Sequence, residues 1–219
     1  MPSYEEIKSN EAIKEYITAA DESLKSLGYT EHSFAHAVRV AECAAYILSE
    51  LGYNEHTVEL AKIAGYLHDI GNLVNRIEHS QSGAVMAFRV LDKMGMPPAD
   101  IATVVTAIGN HDEGTGVPVN DVAAALILAD KSDVRRSRVR NSDFATFDIH
   151  DRVNYSVDFS KLELDEAKKE VCLSIGIDTS ISSLMDYFEI FLERMLLCRK
   201  AADKLGLKFR LMINNQQFI

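Results

Sequence analysis

A mainly α chain, a helical bundle followed by a small C-terminal α+β part, is the fold class this sequence predicts. Two observations point to it. Apolar residues recur at three- and four-residue spacing from residue 4 to about 131, the signature of helices with one buried face. Beyond about residue 141 the pattern becomes strict alternation in three runs, with one long amphipathic stretch between the second and the third, as three antiparallel strands plus one long helix require. The expected division is therefore residues 1–140 as the helical domain and residues 141–219 as a small extension packed on it.

In order, residues 4–27 put Ile7, Ile13, Ile17, Ala20, Leu24 and Leu27 on one helical face, closed by Gly28. Ser33 is the N-cap expected for a helix over 34–51, with His36, Val40, Cys43, Ile47 and Leu51 along one stripe. Helix 55–68 runs into A-G-Y-L-H-D-I-G-N at 64–72, where His68 and Asp69 stand side by side and Gly71 takes the position that ends a helix. After a loop over 70–78, His79 precedes a helix over 80–94. Pro97-Pro98 opens another over 99–108, which Gly109 closes just before His111-Asp112-Glu113. Asn120 caps a helix that is apolar all round from Val122 to Ala129, hence buried, and that ends at Asp130. Residues 134–150 read as a linker. Val153 to Phe159, Val171 to Ile177 and Leu207 to Ile213 then alternate, flanking a helix over 180–205. The Val171–Ile177 run has few charges to protect an open edge, so it is expected inside the sheet or paired across a homodimer.

A chain of 219 residues with 47% hydrophobic and 26% charged residues is of ordinary globular composition. Its net charge of −10 argues against bulk nucleic acid or anionic membrane as a partner, so any phosphate recognition is local. The 3 cysteines are scattered, with no paired motif, as expected of reduced thiols in a cytoplasm. The acidic start predicts no signal peptide, and no apolar run is long enough to predict a membrane span.

The chemistry lies at helix ends. Asp69 closes a helix, where the negative end of the macrodipole disfavours a carboxylate unless a cation is present. Asp130 ends a buried helix, which is costly without a partner. His36, His68, His79 and His111 each stand at the beginning or end of a helix. Taken singly, His36 is as readily a hydrogen-bonded core histidine, and Asp130 as readily a salt bridge to Arg39 or Lys131. Taken together, the six residues are more economically read as one metal site facing a common cavity of the bundle. All six are nitrogen or oxygen donors, suited to one or two divalent transition metals among Fe, Mn, Co, Ni and Zn. Lys131 is the cation placed to reach a substrate phosphate, and Arg135 and Arg136 follow it in a basic stretch that is either a phosphate-binding or a solvated loop.

The stretches H36-A-V-R-V-A, L67-H-D-I-G71, H79-S-Q-S-G-A84, A107-I-G-N-H111 and L128-A-D-K131 together resemble the HD superfamily of metal-dependent phosphohydrolases, over roughly residues 30–140. Within it the likeness is to small bacterial HD hydrolases that cleave diadenosine tetraphosphate. The resemblance implies one metal on His36, His68, Asp69 and Asp130 and a second on His79, His111 and a bridging Asp69. It also implies hydrolysis of a phosphoester or phosphoanhydride of a small metabolite or nucleotide. Asn110 before a lone His111, and Val117 after it, depart from the members that cleave cyclic dinucleotides. Asp112 and Glu113 depart from the diadenosine tetraphosphate type. Two other functions known among HD-fold proteins compete with hydrolysis: a di-iron oxygenase, and a non-catalytic signalling module.

Overall fold

A computed structural model describes residues 1–219. Nine α-helices precede or interrupt a four-stranded sheet. The first predicted helix is two: α1 (Tyr4–Ser9) and α2 (Glu11–Ser26). They break at Asn10, whose extended backbone and side-chain oxygen, accepting from the Ala12 and Ile13 amides, start the second helix. Helices α3 (Phe34–Glu50) and α4 (Glu55–Leu67) follow their predicted bounds, as do α5 (His79–Lys93), α6 (Pro98–Gly109) and α7 (Asp121–Lys131). Helix α7 lies at the centre of the bundle, with Val122 to Ala129 all buried. It packs against α3, α4, α6 and α9 (Leu184–Lys204).

Gly71 does not terminate α4 in a left-handed conformation, as the sequence suggested. The chain passes from His68 straight into a 3-10 turn over Ile70–Leu73, with Asp69 at its head. Glycine is needed there for another reason. A Cβ on Gly71 would collide with the carbonyl oxygen of His79 and the amide nitrogen of Gly83, so the turn after Asp69 lies directly on the start of α5.

The C-terminal part departs from expectation in three places. Residues Ile149–Ser156 form a helix, α8, instead of the beginning of a strand. Asp148 caps it by accepting the Asp151 amide, and Ile149 and Val153, four apart, share one helical face, while the alternation holds only from Val157 on. The sheet is mixed rather than wholly antiparallel, in the order β1 (Val157–Leu164), β2 (Glu170–Ile177), β3 (Lys208–Ile213), β4 (Gln216–Gln217). Strands β2 and β3 are parallel neighbours joined by α9, and β1 pairs antiparallel with β2. The fourth strand returns through Asn214-Asn215, both at positive φ as a tight hairpin turn requires. Strand β2 lies inside the sheet, where its unguarded apolar run is covered on both edges. No helix is long and apolar enough to cross a membrane.

Candidate metal centre

Five segments bring the six predicted donors together. His36 comes from the first turn of α3, His68 and Asp69 from the end of α4, His79 from the start of α5, His111 from just beyond α6 and Asp130 from the end of α7. The four histidines are all buried. The Nε2 of His36 lies 3.2 Å from that of His68, 3.5 Å from Oδ2 of Asp69 and 3.4 Å from Oδ1 of Asp130. His68 Nε2 is 3.2 Å from Asp69 Oδ2 and 3.6 Å from Asp130 Oδ1. On the other side of Asp69, its Oδ1 is 3.4 Å from Nε2 of His79, which in turn is 3.2 Å from Nε2 of His111. The two carboxylate oxygens of Asp69 thus face two different groups of imidazoles.

These spacings and the orientation of the rings fit a divalent ion. Donors at about 2.1 Å from a common centre lie about 3.0 Å apart on an octahedral edge and about 3.4 Å apart on a tetrahedral one. The other ring nitrogen of each histidine has an acceptor of its own. Nδ1 donates to Asp133 Oδ2 in His36 (2.7 Å), to the Gly65 carbonyl in His68 (2.7 Å), to the Arg76 carbonyl in His79 (3.1 Å) and to the Ile108 carbonyl in His111 (2.6 Å). A carbonyl or carboxylate oxygen can only accept, so in the neutral ring each Nε2 bears a lone pair. Two such lone pairs facing each other at 3.2 Å repel unless a cation lies between them. The residues therefore fit the group that the donor set implies.

The electrostatics divide the metal-free cluster in two. Burial alone would raise the Asp69 carboxyl, but the His68 imidazolium and the hydrogen bonds of His36 and His68 outweigh it and hold Asp69 well below the usual carboxylate range. Asp130 is held down against burial chiefly by Lys131. Burial depresses His68, yet Asp69 and Asp130 beside it push it up to about 10. Burial instead dominates at His111 and His79, and both are lowered. The two carboxylates are thus anionic, and the His79–His111 pair is in the neutral form that binds metals.

The cluster opens into a cavity of about 460 Å³. Lys131 lines it, buried, with its Nζ 2.7 Å from both Asp130 Oδ2 and Glu113 Oε2. Glu113 also accepts from Arg194 Nε at 2.9 Å. Burial raises its carboxyl, but these two cations hold it far below the usual range, so it is no proton donor at neutral pH. The structure does not bring Arg135 and Arg136 to the cavity. Arg135 is ion-paired with Glu31 and Asp133, and Arg136 with Asp158. Arg76, Arg138 and Arg194 line it instead, together with Asp148, His150, Asp151 and Asn154 around α8. Apart from Arg138, which belongs to the basic stretch after Lys131, none of these had been singled out from the sequence, because each comes near the cluster only through tertiary packing. Asp133 was also missed. It lies three residues after Asp130, just past the end of α7, and a second carboxylate that close was the available signal.

Comparison with known proteins finds likenesses for the part of the chain that holds the cluster. Residues 33–135, which hold all six donors, match the family model of the HD domain. The chain is 26% identical over 211 residues to an uncharacterized protein of Methanocaldococcus jannaschii, across 85% of this chain and 79% of that one. It is 36% identical over 120 residues to ribonuclease Y of Fusobacterium nucleatum, and 34% identical over 113 residues to ribonuclease Y of Thermosipho melanesiensis. These two matches cover 51% and 52% of this chain but only 22% and 21% of the ribonucleases. The crystal structure of a predicted HD superfamily hydrolase from an uncultured Thermotogales bacterium superposes with a TM-score of 0.45 at 27% identity, over 62% of this chain and 75% of that one.

Proposed function

We propose that this chain is a metal-dependent phosphohydrolase, cleaving a phosphoester or phosphoanhydride of a small metabolite or nucleotide. The observation that carries the reading is Asp69, whose two oxygens face separate imidazole groups in a match to the HD domain. His36, His68, Asp69 and Asp130 would hold one divalent ion, and His79, His111 and the second oxygen of Asp69 another. Such ions supply a nucleophilic water at neutral pH and neutralise charge on a phosphoryl oxygen.

The chain's own groups do the rest. Lys131, Arg138 and Arg194 give the cavity wall the positive charge that a phosphoryl group seeks. Lys131 stays protonated despite burial because Asp130 and Glu113 flank it. In the hydrolysis, water adds to phosphorus, the bond from phosphorus to the leaving oxygen breaks, and that oxygen departs with a proton. The buried histidines limit access by bulk solvent to the attacking side. The reading calls for a reduced, cytoplasmic protein, in keeping with its free cysteines.

The name ribonuclease Y brings an RNA phosphodiester into view as a second substrate class. The shared segment is about a fifth of that enzyme, and a net charge of −10 disfavours a long polyanion. The test is metal analysis of the purified protein, followed by a phosphatase screen over nucleotides, sugar phosphates and short RNA after loading with each of Fe, Mn, Co, Ni and Zn. Release of phosphate or nucleotide that depends on metal and is lost in Asp69→Ala is the expected result. A metal-loaded protein that hydrolyses none of them overturns the reading, and oxygen uptake by the iron form would favour an oxygenase instead.

A further inference from the structure

Four cations line the cavity, and three of them are already committed. Lys131 pairs with Asp130 and Glu113, Arg194 pairs with Glu113, and Arg138 donates to the carbonyls of Glu31 and Asp133, with the Asp133 carboxylate 3.9 Å away. Arg76 is different. No carboxylate lies within ion-pair distance of its guanidinium, whose Nη1 is instead 3.2–3.3 Å from the two ring nitrogens of His79 and 3.5 Å from Asn72 Oδ1. It sits on the short segment that joins two members of the donor cluster, Asp69 and His79. A guanidinium held in a cavity without a counter-charge, next to a cluster built to attract phosphate, is a planar fork with its charge still to be matched.

The rest of the cavity is unusually polar for a small-molecule site, which is normally lined mostly by apolar and aromatic groups. Its two large aromatic rings are each already faced by a guanidinium: Tyr29 by Arg76 at 5.8 Å from the ring centroid, Phe191 by Arg194 at 4.6 Å. A nucleobase would find no large ring with both faces free to stack on, only the smaller imidazoles of His32 and His150. Asp148, His150 and Asn154 offer acceptors and donors suited to hydroxyl groups instead.

We infer that Arg76 grips the phosphoryl oxygens of the substrate, and that this substrate is a phosphomonoester of a polyhydroxylated alcohol, such as a sugar or polyol phosphate, rather than a nucleotide. The inference rests on the phosphohydrolase reading and narrows its substrate. One net charge-assisted hydrogen bond lost with the guanidinium corresponds to roughly 10- to 100-fold in affinity.

The test has two arms. In the first, the metal-loaded full chain is assayed against sugar and polyol phosphates and against nucleoside monophosphates. At least tenfold higher kcat/KM for the former is expected, and nucleotides turned over equally well or better overturn the substrate class. In the second, thermal shifts induced by the metal alone and by inorganic phosphate are measured for the wild type, Arg76→Ala and Arg76→Lys. Arg76→Ala is expected to keep the metal shift and lose the phosphate shift, with KM raised 10- to 100-fold and kcat changed far less. Arg76→Lys should recover part of the loss. An unchanged phosphate shift in Arg76→Ala, or a metal shift lost along with it, overturns the role of Arg76. If no phosphomonoester is hydrolysed but another phosphoester or anhydride is, the substrate class is overturned; if none of them is hydrolysed with any metal, the phosphohydrolase reading fails, while the phosphate shift still decides for or against Arg76.

Discussion

His36 donates its Nδ1 hydrogen to Oδ2 of Asp133 at 2.7 Å, and this one bond turns the other ring nitrogen, Nε2, toward Asp69, Asp130 and His68. Asp133 is itself held by Arg39, Arg135 and Arg138, so the orienting carboxylate is fixed from three further sides. Such partners behind a metal-binding histidine set its tautomer and its ring angle. Replacing Asp133 with Asn should therefore lower metal affinity by roughly 10- to 100-fold without removing any donor. Metal titration followed by calorimetry reads this directly, and unchanged affinity would show that the ring is oriented by packing alone.

Asp69→Ala removes the one carboxylate that faces both imidazole groups. The expected outcome is loss of metal loading and of hydrolysis, with helical content by circular dichroism close to that of the parent, since Asp69 lies beyond the last turn of α4. Retained turnover in this variant would sink the metal mechanism.

Gly71→Ala tests the seam between Asp69 and His79. The added methyl would meet backbone at His79 and Gly83 as well as the Ser82 hydroxyl, and the backbone cannot swing aside as a side chain can, so the 3-10 turn or the start of α5 must shift. Overpacking of this kind costs about 1–3 kcal/mol. A lower denaturation midpoint combined with weaker metal binding is expected. A stable variant with full metal affinity would mean that the turn accommodates the methyl freely.

Glu31 gives a pH-dependent contribution away from the donors. Burial alone would raise its carboxyl, but the Ser33 hydroxyl and the Arg135 guanidinium outweigh burial and lower it. A carboxylate lowered on folding adds stability that is present above its unfolded pKa, near 4.5, and that is lost as pH falls through the lower folded value. Glu31→Gln should accordingly be less stable than the parent at pH 7, by at most about 1 kcal/mol after allowance for solvent screening. The two proteins should converge in urea denaturation toward pH 3, and a gap that persists there would count against an ionic origin.

The donors were legible in the sequence because each is a residue type out of place: a carboxylate at the end of a helix, a histidine at the head of an apolar stripe. Local chemistry was enough to name them, and the structure needed only to bring them together. The start of the C-terminal part was misread for the opposite reason. Ile149 and Val153, four apart, fit a helix while Val153 to Phe159 alternate as in a strand, so two periods competed and the Asp148 cap decided. The parallel pairing of Glu170–Ile177 with Lys208–Ile213 leaves no mark on either strand, since a parallel and an antiparallel neighbour ask for the same alternation. Arg76 and Arg194 could not be told from ordinary surface arginines, because what distinguishes them is which carboxylates stand nearby. Arg135 and Arg136 looked better placed than they are because closeness in sequence to Asp130 was taken for closeness in space.

Helix α7 is apolar on every side because α9 covers one of them. During synthesis, Asp130 and all the other donors leave the ribosome several seconds before α9 is made, at about 5–20 residues per second. Through that interval the nascent bundle carries a bare, greasy flank and a donor cluster that lacks Arg194. The newly made chain must either wait in a loosely collapsed form or be shielded by a chaperone. The site is finished only when the end of the chain folds back over its middle.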